Sequence, residues 1–319
     1  MPLFDLLWDD LKTYKPNLTR SNTFQGFWEE NIKEARELPL NSQVSESDYF
    51  SSKVKVHKVT FDGFEDKTPV VGRFIKSAEK LDKTPVIVSF HGYGSSKGTV
   101  SDFLGWVLLG FSVFSVDIRG QAGEVPDYAR YSTGNITGNM TKGILNPAQY
   151  YYKYVFMDCY RAIDYVLTRD DVDGNRLGVT GHSQGGGLSL VMAALHKKVS
   201  LTMASVPYLC NFGRAIYVAQ QGPYLEILAY LRSHPDDVNR VMDTLSYFDA
   251  MNFAPDIKVP TLMSVGLVDP ICPPSTIFAA YHHIGATNKE LAVFPGMAHE
   301  ELNVFIEKKM KLASSHLLP

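Results

Sequence analysis

Several features that would place this sequence in a specialised class are scarce or missing. It holds three cysteines in 319 residues, Cys159, Cys210 and Cys272, odd in number and far apart. That argues against both a disulfide framework and a zinc site, and predicts reduced, mostly buried thiols. No run approaches the ~18 apolar residues that a membrane helix requires. Positive charge is not in excess: 31 Lys and Arg against 34 Asp and Glu, with a net charge of -3, leave no footprint for nucleic acid or a membrane surface. The first residues, "MPLFDLLWDDLKTYKP", lack the basic start and small-residue cleavage site of a secretory signal, so the expected location is cytoplasmic. Without export, the glycosylation-like triplets at Asn17, Asn135 and Asn139 read as chance matches. What remains is a globular chain, 45% hydrophobic and 20% charged, suited to small-molecule or carbohydrate partners.

The apolar patterning changes along the chain. Residues 1–38 read as a helical extension, with Trp8, Phe24, Phe27 and Trp28 as anchors onto the body. Residues 53–76 alternate like an antiparallel strand pair joined by a hairpin-type turn at Asp62-Gly63, forming one edge of the sheet. Six short apolar runs follow, at 85–90, 111–118, 176–181, 201–207, 260–266 and 290–295, mostly separated by helix-length amphipathic segments. Continuous apolar strands alternating with helices predict an α/β fold with a mostly parallel central sheet and helices on both faces. The prior is a single domain, 1–319, carrying the 1–38 extension and a helical insertion at 211–250, longer than an ordinary crossover and placed over the functional edge.

"GVTGHSQGGGLSL", residues 178–190, sets a serine between glycines where a strand gives way to a helix. In such a sheet, ligands bind beyond the carboxyl ends of the strands. A sharp turn there strains the central residue and requires small neighbours two positions to either side, so Ser183 is displayed as a nucleophile. A serine hydroxyl needs a base, and the base needs an orienting acid. His299 follows the strand "ELAVFP" and a short loop and precedes the last helix, "EELNVFIEKKM"; His282 and His283 read as a surface pair, and His316 as part of the tail. Asp269 closes the strand "PTLMSVGLVDP", whereas its rivals Asp249 and Asp256 follow no apolar strand directly. The oxyanion donors expected are the backbone N–H groups of Gln184, just after the nucleophile, and Tyr93, in the loop "HGYG" after an earlier strand. His91 braces that loop in this reading. Tyr93, Pro207 and Tyr208 are the bulky groups expected to form an acyl pocket with room for little more than a methyl group.

"HGYGSSKG", "DIRGQAG", "GHSQGGGLSL", "VGLVDPICPPSTIFAAY" and "PGMAHE" together resemble the acetyl xylan esterase and cephalosporin C deacetylase family of carbohydrate esterases, which are α/β-hydrolases. The resemblance covers most of the chain and rests on the trio RGQ, GxSQG and HE, present as Arg119 to Gln121, Gly181 to Gly185, and His299-Glu300. It implies the same triad and oxyanion donors, and deacetylation of small acetylated sugars and cephalosporin C without metal or cofactor. It also implies a homo-oligomer, a hexamer above all. His182, directly before the serine, departs from the family's usual pattern and bears on the polarity of the pocket. Arg119 and Gln121 either touch substrate or brace the loops, and Arg119's planar fork of donors suits bracing. Glu300 either bears on His299 or answers a helix dipole. The competing readings are a general short-chain carboxylesterase, a serine peptidase of the same fold and a catalytically silent binding protein.

Overall fold

A computed structural model describes residues 5–79, 82–132 and 137–318; Asn135 lies outside them. The described strands form one nine-stranded sheet in the order β1-β2-β3-β5-β4-β6-β7-β8-β9. Its strands are β1 (Gln43–Ser47), β2 (Val54–Asp62), β3 (Pro69–Ser77), β4 (Thr84–Phe90), β5 (Ser112–Val116), β6 (Val172–His182), β7 (Leu201–Ser205), β8 (Thr261–Gly266) and β9 (Lys289–Phe294). β1, β2 and β3 pair antiparallel, and β3 joins β5 antiparallel. From β5 to β9 every pairing is parallel.

The sheet is covered on both faces because its central strands carry apolar side chains in both directions. On β4, Val86 and Val88 enter the larger core, while Ile87 between them enters the smaller one. The helices are α1 (Trp8–Leu11), α2 (Phe24–Glu37), α3 (Leu104–Leu108), α4 (Tyr151–Leu167), α5 (Gln184–Leu195), α6 (Phe212–Val218), α7 (Tyr224–Ser233), α8 (Val238–Ser246), α9 (Ala250–Phe253), α10 (Pro274–His283) and α11 (Asn303–Leu317). Residues of α3 and α11 build the smaller core with Ile87, Val113 and Met203. Residues of α2, α4, α5, α9 and α10 pack in the larger core. None of the described helices is long and apolar enough to cross a membrane. All three cysteines are free and buried.

The edge of the sheet differs from expectation. β1 lies outside β2, five residues in register, and supplies the edge. Its residues are exposed or half-exposed, so it has no apolar face to reveal it in the sequence. Asp62-Gly63 is not a two-residue hairpin turn. Gly63 N–H donates to Thr68 O at 2.8 Å across a longer loop, and the positive φ angles fall at Glu65 and Lys67.

The N-terminal extension is helical only in part. The stretch between α1 and α2 contains Pro16, which offers no N–H, and tertiary bonds replace the missing helical ones. Asn252 exchanges bonds with Thr19. His282 binds Tyr14 O at 2.8 Å and His283 binds Pro16 O at 2.7 Å, so these half-buried rings are tethers rather than a surface pair. His316 lies in the last turn of α11, not in a tail. The connection from β7 to β8 carries α6 to α9. It docks on the loop after β8: the N–H groups of Gln220 and Gln221 both donate to Pro270 O.

Candidate active site

From the carboxyl ends of the neighbouring strands β4 and β6 the chain leaves in opposite directions, to β5 and to β7, and a cleft of about 570 Å³ opens beyond their ends. Ser183 stands at its floor between β6 and α5, with φ 56° and ψ -116°. That conformation is strained for any residue with a side chain. Its neighbours make it possible: a Cβ on Gly181 would fall 2.4 Å from the Gly185 carbonyl carbon, and one on Gly185 would fall 1.9 Å from Phe90 O. The turn is then tied down by Ser183 N–H to Ser205 O at 2.9 Å and Tyr208 N–H to Ser183 O at 2.9 Å.

His299 Nε2 lies 2.9 Å from Ser183 Oγ, and His299 Nδ1 lies 2.8 Å from Asp269 Oδ2. Asp269 is fully buried, and its other oxygen accepts the N–H groups of Ile271 and Cys272 at 2.8 and 2.9 Å. These bonds aim the carboxylate at the imidazole, so the proton on His299 sits on Nδ1 and Nε2 is left to accept from serine. The rival acids are engaged elsewhere. Asp249 caps α9 and takes the N–H groups of Asn211, Phe212 and Met251. Asp256 is exposed and paired with Arg20.

Among the described residues, neither Tyr93 N–H nor Gln184 N–H donates to another protein group. Both loops are braced from behind by side-chain amides. Gln121 Nε2 donates to Gln184 Oε1 at 2.9 Å, and Gln121 Oε1 accepts from Gly94 N–H at 2.8 Å. One residue therefore holds both expected oxyanion segments. His91 accepts from Ile118 N–H at 2.9 Å and donates from its other nitrogen to Gly92 O, which pins the loop to the exit of β5. Burial lowers the His91 pKa and keeps the ring neutral, as this pattern of one accepting and one donating nitrogen requires. Because Gln121 supports donors rather than touching the reacting atoms, Gln121→Ala is expected to lower kcat about tenfold with little change in KM, less than the ~100-fold of losing an oxyanion donor outright. Steady-state kinetics on p-nitrophenyl acetate checks this.

Arg119 is a brace. Fully buried, it forms a bidentate pair with Asp158 at 2.7 and 3.0 Å and reaches Asp66 at 2.7 Å. Its carbonyl accepts from Tyr151 OH, and Tyr152 OH donates to Gln184 Oε1 at 2.9 Å. These two tyrosines open α4, at the end of a segment that reads as loop in the sequence. Tyr93 OH donates to the Glu226 carboxylate at 3.0 Å and accepts from Asn139 N–H, which links the oxyanion loop to α7 in the insertion. Glu226, Tyr151 and Tyr152 carry no local motif that could have marked them.

Two expectations are corrected. Of the three acyl-pocket residues, only Tyr93 lines the cleft. Pro207 and Tyr208 are buried behind the serine, where the Tyr208 backbone serves the turn. Glu300 touches neither His299 nor a helix start: it is exposed, accepts from Ala298 N–H at 3.0 Å, and precedes a helix that begins at Asn303. The engaged acid is Glu301, whose carboxylate accepts from Ser205 Oγ and Lys309 Nζ. Burial opposes its charge, but Lys309 prevails and holds the pKa below the usual glutamate value. For metals, Asp269, Cys272 and His299 carry donor atoms within 4.8 Å of one another, the spacing an ion would need. Both oxygens of Asp269 and both ring nitrogens of His299 are already engaged in the hydrogen bonds above.

The mostly parallel sheet, its helical faces and the glycine-flanked serine turn define an α/β-hydrolase. Residues 1–316 match the model of the acetyl xylan esterase (AXE1) family, and the chain belongs to that family and is a carboxylic ester hydrolase. The structure of an acetyl xylan esterase from Paenibacillus sp. R4 aligns with a TM-score of 0.95 at 39% identity, covering 98% of this chain and 100% of that one. Acetyl xylan esterase 1 from Thermoanaerobacterium sp. JW/SL YS485 aligns with a TM-score of 0.92 at 30% identity, covering 99% and 100%. The acetyl esterase Axe7A of Xylanibacter ruminicola is 29% identical over 293 residues, which are 87% of this chain; the match spans 63% of that protein's length.

Proposed function

We propose that this protein removes acetyl groups from acetylated xylo-oligosaccharides and other small acetylated sugars, and from cephalosporin C, through an acetyl-enzyme. The observation that carries the reading is the unbroken relay from Asp269 through His299 to Ser183 Oγ, with contacts of 2.8 and 2.9 Å, in a chain of the acetyl xylan esterase family. The named activities of the two structural relatives support the choice of acyl group.

In this mechanism Ser183 Oγ attacks the acetyl carbonyl while His299 Nε2 takes its proton. The oxyanion is received by the N–H groups of Tyr93 and Gln184. Collapse breaks the ester bond, and His299 returns the proton to the departing alcohol. Water, deprotonated by the same ring, then attacks the acetyl-enzyme, and acetate leaves as Ser183 regains its proton. Asp269 stays ionised and stabilises the imidazolium formed in each half.

Acetate release from acetylated xylo-oligosaccharides and cephalosporin C, measured beside a p-nitrophenyl acetate, butyrate and octanoate series, tests the reading. Preference for acetyl and turnover of the sugar esters are expected. Equal turnover of octanoate with no release from sugars would make the protein a general carboxylesterase.

The active assembly in this reading is a homo-oligomer, with a hexamer favoured. The side chains of Phe50 and Leu108, 92% and 89% exposed, and the open sheet edge at β1 offer apolar and hydrogen-bonding surface for such contacts. Light scattering at micromolar concentration is expected to give a mass near six chains, and a monomer there would overturn the assembly.

A further inference from the structure

His182 lines the cleft and takes no part in the relay from Asp269 to Ser183. It follows Gly181 in the turn and packs edge-on to His299, with ring centroids 5.0 Å apart. Its Nε2 lies 2.8 Å from His299 O. A carbonyl only accepts, so Nε2 carries the proton and Nδ1 holds a lone pair. Nδ1 has no hydrogen-bond partner among the described residues, and the ring lines the cleft. It faces the oxyanion loop: a point one bond out from Gly92 Cα lies 3.8 Å from Nδ1 and 3.7 Å from Ser183 Cβ. The nearby acid does not compete for it, since the Glu301 carboxylate is held by Lys309 and Ser205. Burial first, and the facing His299 second, lower the pKa of His182, so the lone pair persists at neutral pH.

The position of this lone pair decides what it can meet. His299 Nε2 must hand its proton to the departing alcohol oxygen, so the alcohol half of the ester lies against His299 on the cleft side. The cleft sets Ser95, Ser96, Lys97 and Lys309 beside Phe103, Trp106 and Ile306, a mixed wall with polar groups as well as apolar ones. We propose that His182 is a specificity residue whose Nδ1 accepts a hydrogen bond from a hydroxyl adjacent to the scissile ester on the alcohol half. The inference deepens the deacetylase reading and rests on it. The ligand class is a vicinal hydroxy ester, as in a partly acetylated sugar.

The test uses two esters that differ by one hydroxyl, ethylene glycol monoacetate and ethyl acetate, so it does not depend on turnover of any sugar. The readout is the ratio of their kcat/KM values. A single hydrogen bond realised in the transition state is expected to favour the hydroxy ester about tenfold in the wild type. In His182→Gln the amide nitrogen can replace Nε2 and keep the bond to His299 O, while the acceptor at Nδ1 is lost, so the ratio is expected to fall to about 1. In His182→Asn the amide sits near the Nδ1 position, so the ratio should persist while kcat drops on both esters with the tie to His299 gone. A wild-type ratio of one, or an equal loss on both esters in His182→Gln, would overturn the assignment and leave His182 a support for the His299 loop. Failure of the sugar esters alone, with the ratio behaving as described, would count against the deacetylase reading and not against His182.

Discussion

Ser183→Ala is expected to fold normally and to lose about 10⁴- to 10⁶-fold in kcat, the range seen when the nucleophile of a serine hydrolase is removed. The substitution removes one oxygen and relaxes nothing in the core. The turn is held by Gly181, Gly185 and three backbone contacts that do not involve Oγ. His299→Ala should fall in the same range, because Oγ without its base is a poor nucleophile. Purified variants with unchanged circular dichroism and thermal midpoint, assayed on p-nitrophenyl acetate, check both. A loss below tenfold at Ser183 would remove it from the mechanism.

Asp269→Asn is expected to lose about 10⁴-fold in kcat, because an amide facing Nδ1 can donate to it and so fix the imidazole in the tautomer that cannot accept from serine. The control is Asp249→Asn. Asp249 is also a fully buried aspartate, but it serves three backbone N–H groups at the start of α9 and α6. Losing part of that cap should cost about 1 to 2 kcal/mol of stability while leaving kcat within about tenfold of wild type. Thermal unfolding and steady-state kinetics run on both variants separate the two roles. A greater catalytic loss at Asp249 would mean that the wrong acid had been assigned.

The parts of the site that could be read from the chain are those with local constraints. Glycines two residues either side of Ser183 leave their mark because the backbone there passes too close to Phe90 O for any side chain. Asp269 and His299 were legible because each follows an apolar strand of a parallel sheet, and parallel strands bring their carboxyl ends to one edge. β1 was not legible: "QVSES" buries nothing and owes its conformation to the hydrogen bonds of β2. Nor was the extended stretch around Pro16, whose tethers come from His282 and His283 near the other end of the chain.

The sequence by itself determined the fold class, the strained serine turn and the placing of Ser183, Asp269 and His299 each after an apolar strand, since these follow from periodicity, glycine placement and strand ends along the chain. Tertiary structure alone decided what surrounds them. Glu226 reaches Tyr93 across 133 residues, and Gln121 bridges Gly94 and Gln184. Pro207 and Tyr208 turn inward behind the serine, while Glu301, not Glu300, is drawn to Lys309 and Ser205. The physical reason is one of range. A turn's steric limits act between neighbours, whereas hydrogen-bond partners and burial depend on which distant segments the packed sheet brings within about 3 Å of each other.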